Sequence, residues 1–164
     1  MVHTALPGDE ILKRALACGQ KALDEVEAKS LFAAYGIPVV DGASVSSGDE
    51  AVAVAGRLGY PVVMKGMSRE IQHKSDAGLV LLDIADDAGA RSGFDALMRR
   101  SPVKLDGILV EEMIPGGREF VVGMSRDPQF GPVVMFGLGG VLTEALQDVV
   151  FGVAPLDERE AGIV

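Results

Sequence analysis

PVVMKGMSREIQHKSDAGLVLLDI, residues 61–84, is the stretch on which the reading of the fold turns. Pro61 to Lys65 is a short apolar run of strand type and Leu79 to Ile84 is a second, with a polar loop, residues 66–78, between them. Two such runs read as a hairpin with an unusually long tip. Long loops of this kind in compact domains are usually functional. Lys65 ends its strand where the ammonium can point along the loop, and Arg69, His73 and Lys74 join it against one acid, Glu70, before Asp76 is reached. Clustered cations on a loop suit the phosphates of a nucleotide. A solvated loop with ordinary surface lysines is the competing reading, and composition by itself favours it.

His73 has two readings of its own. One is a surface histidine without a role. The other starts from its chemistry: neutral imidazole is nucleophilic, titrates near working pH and can carry a phosphoryl group as a labile phosphoramidate. Asp76, three residues on, could orient the ring.

Outward toward the N-terminus, one pattern occurs twice. In LDEVEAKSLFAAYGIPVV, residues 23–40, Asp24 and Glu27 have capping-box spacing, Ala28, Leu31, Phe32 and Tyr35 form a helical stripe, and Gly36 is the stop. Ile37 and Pro38 then open an extended segment with Val39 and Val40. In SGDEAVAVAGRLGYPVV, residues 47–63, Ser47 and Glu50 form the cap, Ala51, Val54, Ala55 and Leu58 the stripe, and Gly59 the stop. These are two successive helix-to-strand units feeding one small sheet. Residues 1–23 are a lead-in, with a short helix expected from Asp9 whose Ile11, Leu12, Ala15 and Leu16 share a face.

Outward toward the C-terminus, a third helix is predicted over Asp86–Arg99, closed by Pro102 and weakened by Gly89 and Gly93. From Asp106 the texture becomes a meander: ILVEEMI (108–114), REFVVGMS (118–125) and GPVVMFG (131–137) read as three antiparallel strands joined by short turns. GLGG at 137–140 reads as a tight turn and not a dinucleotide loop, because Leu142 stands at the third glycine position. A short helix, a strand over VVFGVAP (149–155) and the start of a further helix at DEREAGIV (157–164) complete the chain. That helix stops at Val164 in mid-element, so a natural domain boundary is not expected there.

Composition bounds the partners. The chain has 164 residues, 15 basic against 24 acidic, for a net charge of −9. This disfavours nucleic acid and anionic lipid surfaces at long range. One cysteine, Cys18, allows neither a disulfide framework nor a four-ligand zinc site. No targeting segment or membrane span is legible, and a reduced cytoplasmic setting is the default expectation.

ILVEEMI ends in two carboxylates, Glu111 and Glu112, beside a turn. An adenine hinge needs adjacent backbone C=O and N–H groups at such a strand end, and Glu119 on the next strand could reach a ribose. A solvated hairpin edge explains the same residues.

Residues 61–84 together with GILVEEMIPGGREFVVGMSRDPQFGPVVMFGLGGVLTEALQDVVFGVAPL, residues 107–156, resemble the ATP-grasp portion of the NDP-forming acyl-CoA synthetases, the acetate–CoA ligase (ADP-forming) family. The resemblance spans residues 22–164. It implies an α+β ATP-grasp fold with a small lobe over 24–105 and an incomplete second lobe from 106 to 164. It implies that Lys65 meets the nucleotide phosphates, that His73 is the phosphohistidine that passes phosphate to ADP, that Glu111, Glu112, Met113 and Ile114 form the adenine hinge, and that Glu119 holds the ribose. Relatives interconvert acyl-CoA, phosphate and ADP with free acid, CoA and ATP. A CoA-binding, acyl-CoA ligase domain or subunit is then the expected partner, with ATP or ADP and Mg2+ as cofactors. Ala77, Gly78 and Leu79 replace the family's valine and two glycines. The family's magnesium ligands, which include an Asn-Pro segment, are expected outside this chain, which contains no asparagine. Alone, such a chain is expected to be a poor catalyst. A non-catalytic nucleotide-sensing module of a fused acyltransferase, and a carboxylate–amine ATP-grasp ligase, are the alternatives.

Overall fold

The computed structural model describes residues 7–68, 77–139 and 149–162. The chain divides into two compact units, Met1–Ile114 and Pro115–Val164.

In the first unit, helices α1 (Pro7–Ala17) and α2 (Glu25–Ala34) precede strand β1 (Gly42–Val45), helix α3 (Gly48–Leu58), strands β2 (Val62–Met67) and β3 (Val80–Ile84), helix α4 (Asp87–Arg100) and strand β4 (Gly107–Glu112). The start signal of α2 works as the sequence predicts, and the structure adds a cap at the start of α4. Asp24 accepts the Glu27 amide at 2.8 Å while Glu27 accepts the Asp24 amide at 3.1 Å, and Asp86 accepts the Gly89 amide at 2.7 Å. At α3 only half of the expected box forms: Ser47 accepts the Glu50 amide, but the Glu50 carboxylate turns to the amide and hydroxyl of Ser46. Gly36 and Gly59 follow their helices with φ of +77° and +89°, a region side chains disfavour.

The four strands form an antiparallel sheet in the order β1-β4-β2-β3. Val62 and Met64 of β2 and Ile108 and Val110 of β4 pack with Ala51 and Ala55 of α3 and Ala90, Phe94 and Leu97 of α4 in one buried core. The hairpin of β2 and β3 forms as expected, but β2 runs on to Met67, so Lys65 stands inside the strand opposite Val80 and not at its end. Because side chains alternate along a strand, Val63, Lys65, Leu109 and Glu111 point to the other face of the sheet.

Three expectations change. The α2 stripe is not a buried one: no residue of α2 is fully buried, and Phe32 and Tyr35 are about half exposed, at 49% and 50%. The sheet face nearby carries the charges of Lys65 and Glu111, and α2 meets them with its own charged residues. Val39 and Val40 are not in a strand, since β1 starts only at Gly42. In the lead-in helix, Ala15 is buried but Leu12 and Leu16 are exposed.

The sequence reading also puts the lobe boundary at Asp106 and pairs ILVEEMI with the strands after it. The division falls instead between Ile114 and Pro115. Strand β4 is hydrogen-bonded to β1 along one edge and to β2 along the other, so neither edge is left for a following strand.

The second unit is a three-stranded antiparallel sheet of β5 (Phe120–Asp127), β6 (Gly131–Leu138) and β7 (Val149–Val153), followed by the short helix α5 (Glu158–Ala161). The β5–β6 turn is held by Asp127, which accepts the amides of Gln129 and Phe130, and Phe120 stacks on Phe136 with ring centroids 5.5 Å apart. Gly139 ends the sheet edge where a Cβ would come 3.0 Å from the Glu119 backbone, while its amide bonds the Glu119 carbonyl at 2.8 Å. That close approach accounts for the glycine at 139. The rest of the predicted bend and helix, residues 140–148, lies outside the described residues.

Candidate functional site

The register of β2 against β4 brings two sequence-predicted residues together. Lys65 stands opposite Leu109 and Val63 opposite Glu111, which makes Lys65 and Glu111 diagonal neighbours on one face. Lys65 Nζ lies 2.8 Å from Glu111 Oε2. Glu111 is 2% exposed, the only buried charged residue among those described.

A buried carboxylate is costly unless it is matched in charge and hydrogen bonding. Helix α2 supplies the match. Lys29 pairs with Glu111 Oε1, Lys65 Nζ also lies 2.8 Å from Glu25 Oε1, and Lys29 Nζ lies 3.4 Å from the same Glu25 oxygen. The four groups close a ring in which each charge touches two of opposite sign. Glu25 and Lys29 were not predicted as site residues. Their i, i+4 spacing was the available signal, but the apolar stripe of the same helix absorbed the reading.

A cavity of about 400 Å³ opens beside the ring. Lys29, Asp41 and Glu111 form its charged wall, and Val26 and Ala33 of α2, Val40 and Leu109 form its apolar wall. That size and mixture suit a small ligand with a flat apolar body and a few polar edges.

The remaining predicted residues are placed as follows. The amide of Glu112 donates to the Asp41 carbonyl at 3.0 Å and its carboxylate accepts the Asp41 amide at 3.0 Å, so its side chain closes the end of the sheet. Met113 is half-buried and Ile114 is 62% exposed. Glu119 lies in the second unit, exposed, immediately before β5. His73, with Arg69, Lys74 and Asp76, lies outside the described residues. Among the described residues no group of three or more His, Cys, Asp or Glu is placed to hold a metal ion.

Comparison with known proteins agrees with this architecture. The ATP-grasp domain family matches residues 14–163. The beta subunit of acetate–CoA ligase (ADP-forming) I from Pyrococcus furiosus is 46% identical over 157 residues, which cover 93% of this chain and 67% of that subunit. A structure of the dinucleotide-forming acetyl-coenzyme A synthetase 1 of Ca. Korarchaeum cryptofilum, in complex with coenzyme A, Ca-AMPCP and HgCl+, matches with a TM-score of 0.90 at 40% identity, covering 95% of this chain and 70% of that one. The same enzyme with coenzyme A and Mg-AMPPCP, its phosphohistidine segment pointing towards the nucleotide binding site, matches with a TM-score of 0.80 at 40% identity, covering 95% and 68%. The chain thus spans about two thirds of the length of these relatives. By fold and by sequence, the chain belongs to the ATP-grasp domain family, in its ADP-forming acetate–CoA ligase branch.

Proposed function

We propose that this chain is the nucleotide-binding, phosphohistidine-bearing part of an ADP-forming acyl-CoA synthetase, which converts acyl-CoA, phosphate and ADP to acid, CoA and ATP, or runs the reverse. The observation that supports it best is the pairing of Lys65 with Glu111 beside a cavity of about 400 Å³. In this reading the base enters the cavity, with the Glu111–Ile114 main chain as its hinge, Lys65 meets the phosphates and Glu119 meets the ribose. His73 carries the phosphoryl group. A terminal oxygen of ADP attacks the phosphorus, the P–N bond to the imidazole breaks, a P–O bond forms, and the ring nitrogen keeps the electron pair. Mg2+ supplies charge neutralisation between the phosphates when bound. As the family resemblance implies, we assign its protein ligands outside this chain.

The relatives' designation as a beta subunit implies a second component. We assign to it the CoA-binding and acyl-phosphate chemistry. No helix among the described residues is long and apolar enough to cross a membrane, and we place the protein in the cytoplasm.

The test is labelling of the complete protein, with the segment beyond this chain and the acyl-CoA ligase component present, with γ-labelled ATP. The expected result is an acid-labile, base-stable label that His73→Ala abolishes while nucleotide binding persists. Binding without any label would mark a nucleotide-sensing module. Full activity of His73→Ala with an amine acceptor would mark a carboxylate–amine ligase.

A further inference from the structure

We propose that Glu25 of α2 competes with nucleotide phosphate for Lys65, and that Lys29 offsets the charge of Glu111 so that this competition sets the affinity of the site for phosphate. The inference rests on the nucleotide reading of this sheet face and deepens it by assigning two positioning residues.

An ammonium has three N–H donors and no acceptor. Among the described residues, Lys65 gives one to Glu25 Oε1 and one to Glu111 Oε2, each at 2.8 Å. The two carboxylates differ in freedom. Glu111 is strand-borne with its side chain 3% exposed, while the side chain of Glu25 is 24% exposed and stands in the first turn of a helix. A phosphate oxygen approaching Lys65 therefore displaces Glu25 more readily than Glu111. Lys29 bridges both carboxylates, from Glu25 Oε1 at 3.4 Å to Glu111 Oε1. With two lysines and two glutamates the ring is neutral. Replacing Glu25 by glutamine leaves it one charge positive, and replacing Lys29 by glutamine leaves it one charge negative.

The two substitutions should therefore act with opposite sign on a polyphosphate, and Glu25→Gln, at a residue outside the cavity wall, should leave an uncharged nucleoside alone, which a purely structural role would not produce. The experiment is calorimetric titration of the full 164-residue chain with adenosine and with ADP in the presence of Mg2+, for the parent, Glu25→Gln, Lys29→Gln, the double variant and Lys65→Met. Thermal melts verify that each variant is folded. Glu25→Gln is expected to tighten ADP about fivefold and Lys29→Gln to weaken it about fivefold, the scale of one partly screened charge. The double variant is expected to return close to the parent in its ADP affinity, and adenosine affinity to stay constant in Glu25→Gln.

Weaker ADP binding, or unchanged binding, in Glu25→Gln overturns the proposal. Glu25→Gln decides the matter by itself if Lys29→Gln does not fold. Lys65→Met separates the two levels. If the parent does not bind ADP, or if Lys65→Met binds it as well as the parent does, the nucleotide reading fails and the proposal with it. If Lys65→Met weakens ADP while Glu25→Gln does not tighten it, only the proposal fails.

Discussion

Lys65 and Glu111 are one diagonal step apart on antiparallel strands, with Lys65 Nζ 2.8 Å from Glu111 Oε2 and the carboxylate nearly sealed from water. The pair joins two residues 46 positions apart in the chain through the register of β2 on β4, and its surroundings make definite demands on stability.

Glu111 sits between two ammonium groups, so Glu111→Leu leaves Lys29 and Lys65 sharing Glu25 alone. Breaking a fully buried pair costs about 3–5 kcal/mol. Both lysine side chains are about one quarter exposed, at 23% and 26%, so solvent reduces the loss to about 2 kcal/mol. Urea unfolding should show it, and adding Lys29→Met to Glu111→Leu should recover part of it. A double variant that is worse than the sum of the singles would argue against the ring.

Asp24 holds the amide end of the helix that carries Glu25 and Lys29. Asp24→Ala removes the reciprocal cap and should destabilise the chain by about 1 kcal/mol. Amide exchange should quicken in α2 and stay unchanged in α4. Equal protection of α2 in both proteins would contradict the role.

Two helical glycines should respond oppositely to alanine. At Gly93 a Cβ would lie 3.1 Å from Met64 Sδ and 3.4 Å from Leu81 Cδ1, and Met64 is fully buried. Overpacking there outweighs the gain in helix propensity, so Gly93→Ala should cost about 1 kcal/mol. At Gly56 nothing lies within 4 Å of the added carbon, and Gly56→Ala should add about 0.5–1 kcal/mol. Denaturant midpoints moving in the same direction would refute this contrast.

The Tyr60 hydroxyl donates to Asp87 Oδ1 at 2.8 Å. Burial first, then that bond and the charges of Asp87 and Asp86, push its pKa up to about 12. A raised value in the folded state means that the proton stabilises the fold. That contribution is complete below the ordinary tyrosine value of 10.0 and is lost as pH rises through about 12. In a Tyr35→Phe background, an alkaline ultraviolet titration should follow Tyr60 alone, and Asp87→Asn should lower its midpoint. A midpoint at the ordinary value with Asp87 intact would sink the assignment.

Local grammar was legible in the residues. The capping signal at Asp24, the glycine stops at Gly36 and Gly59 and the β2–β3 hairpin depend on neighbours within a few positions or on the geometry of one loop. The family, and with it the expectation that Lys65 and Glu111 belong to one site, came from long matching blocks. The role of His73 rests on the same resemblance.

Which edges β4 would pair was not legible, because an apolar strand carries no mark of its partners. Only the assembled sheet places Gly107–Glu112 between β1 and β2 and moves the division of the chain to Ile114. The close packing at Gly93 was equally hidden, since a helix weakened by glycine looks the same whether or not a methionine lies against it. The ring at Lys65 is the clearest case. Its members stand at positions 25, 29, 65 and 111, and charge attraction acts through space over a few ångströms. The sequence alone determined that the charges exist; tertiary structure decided which of them meet.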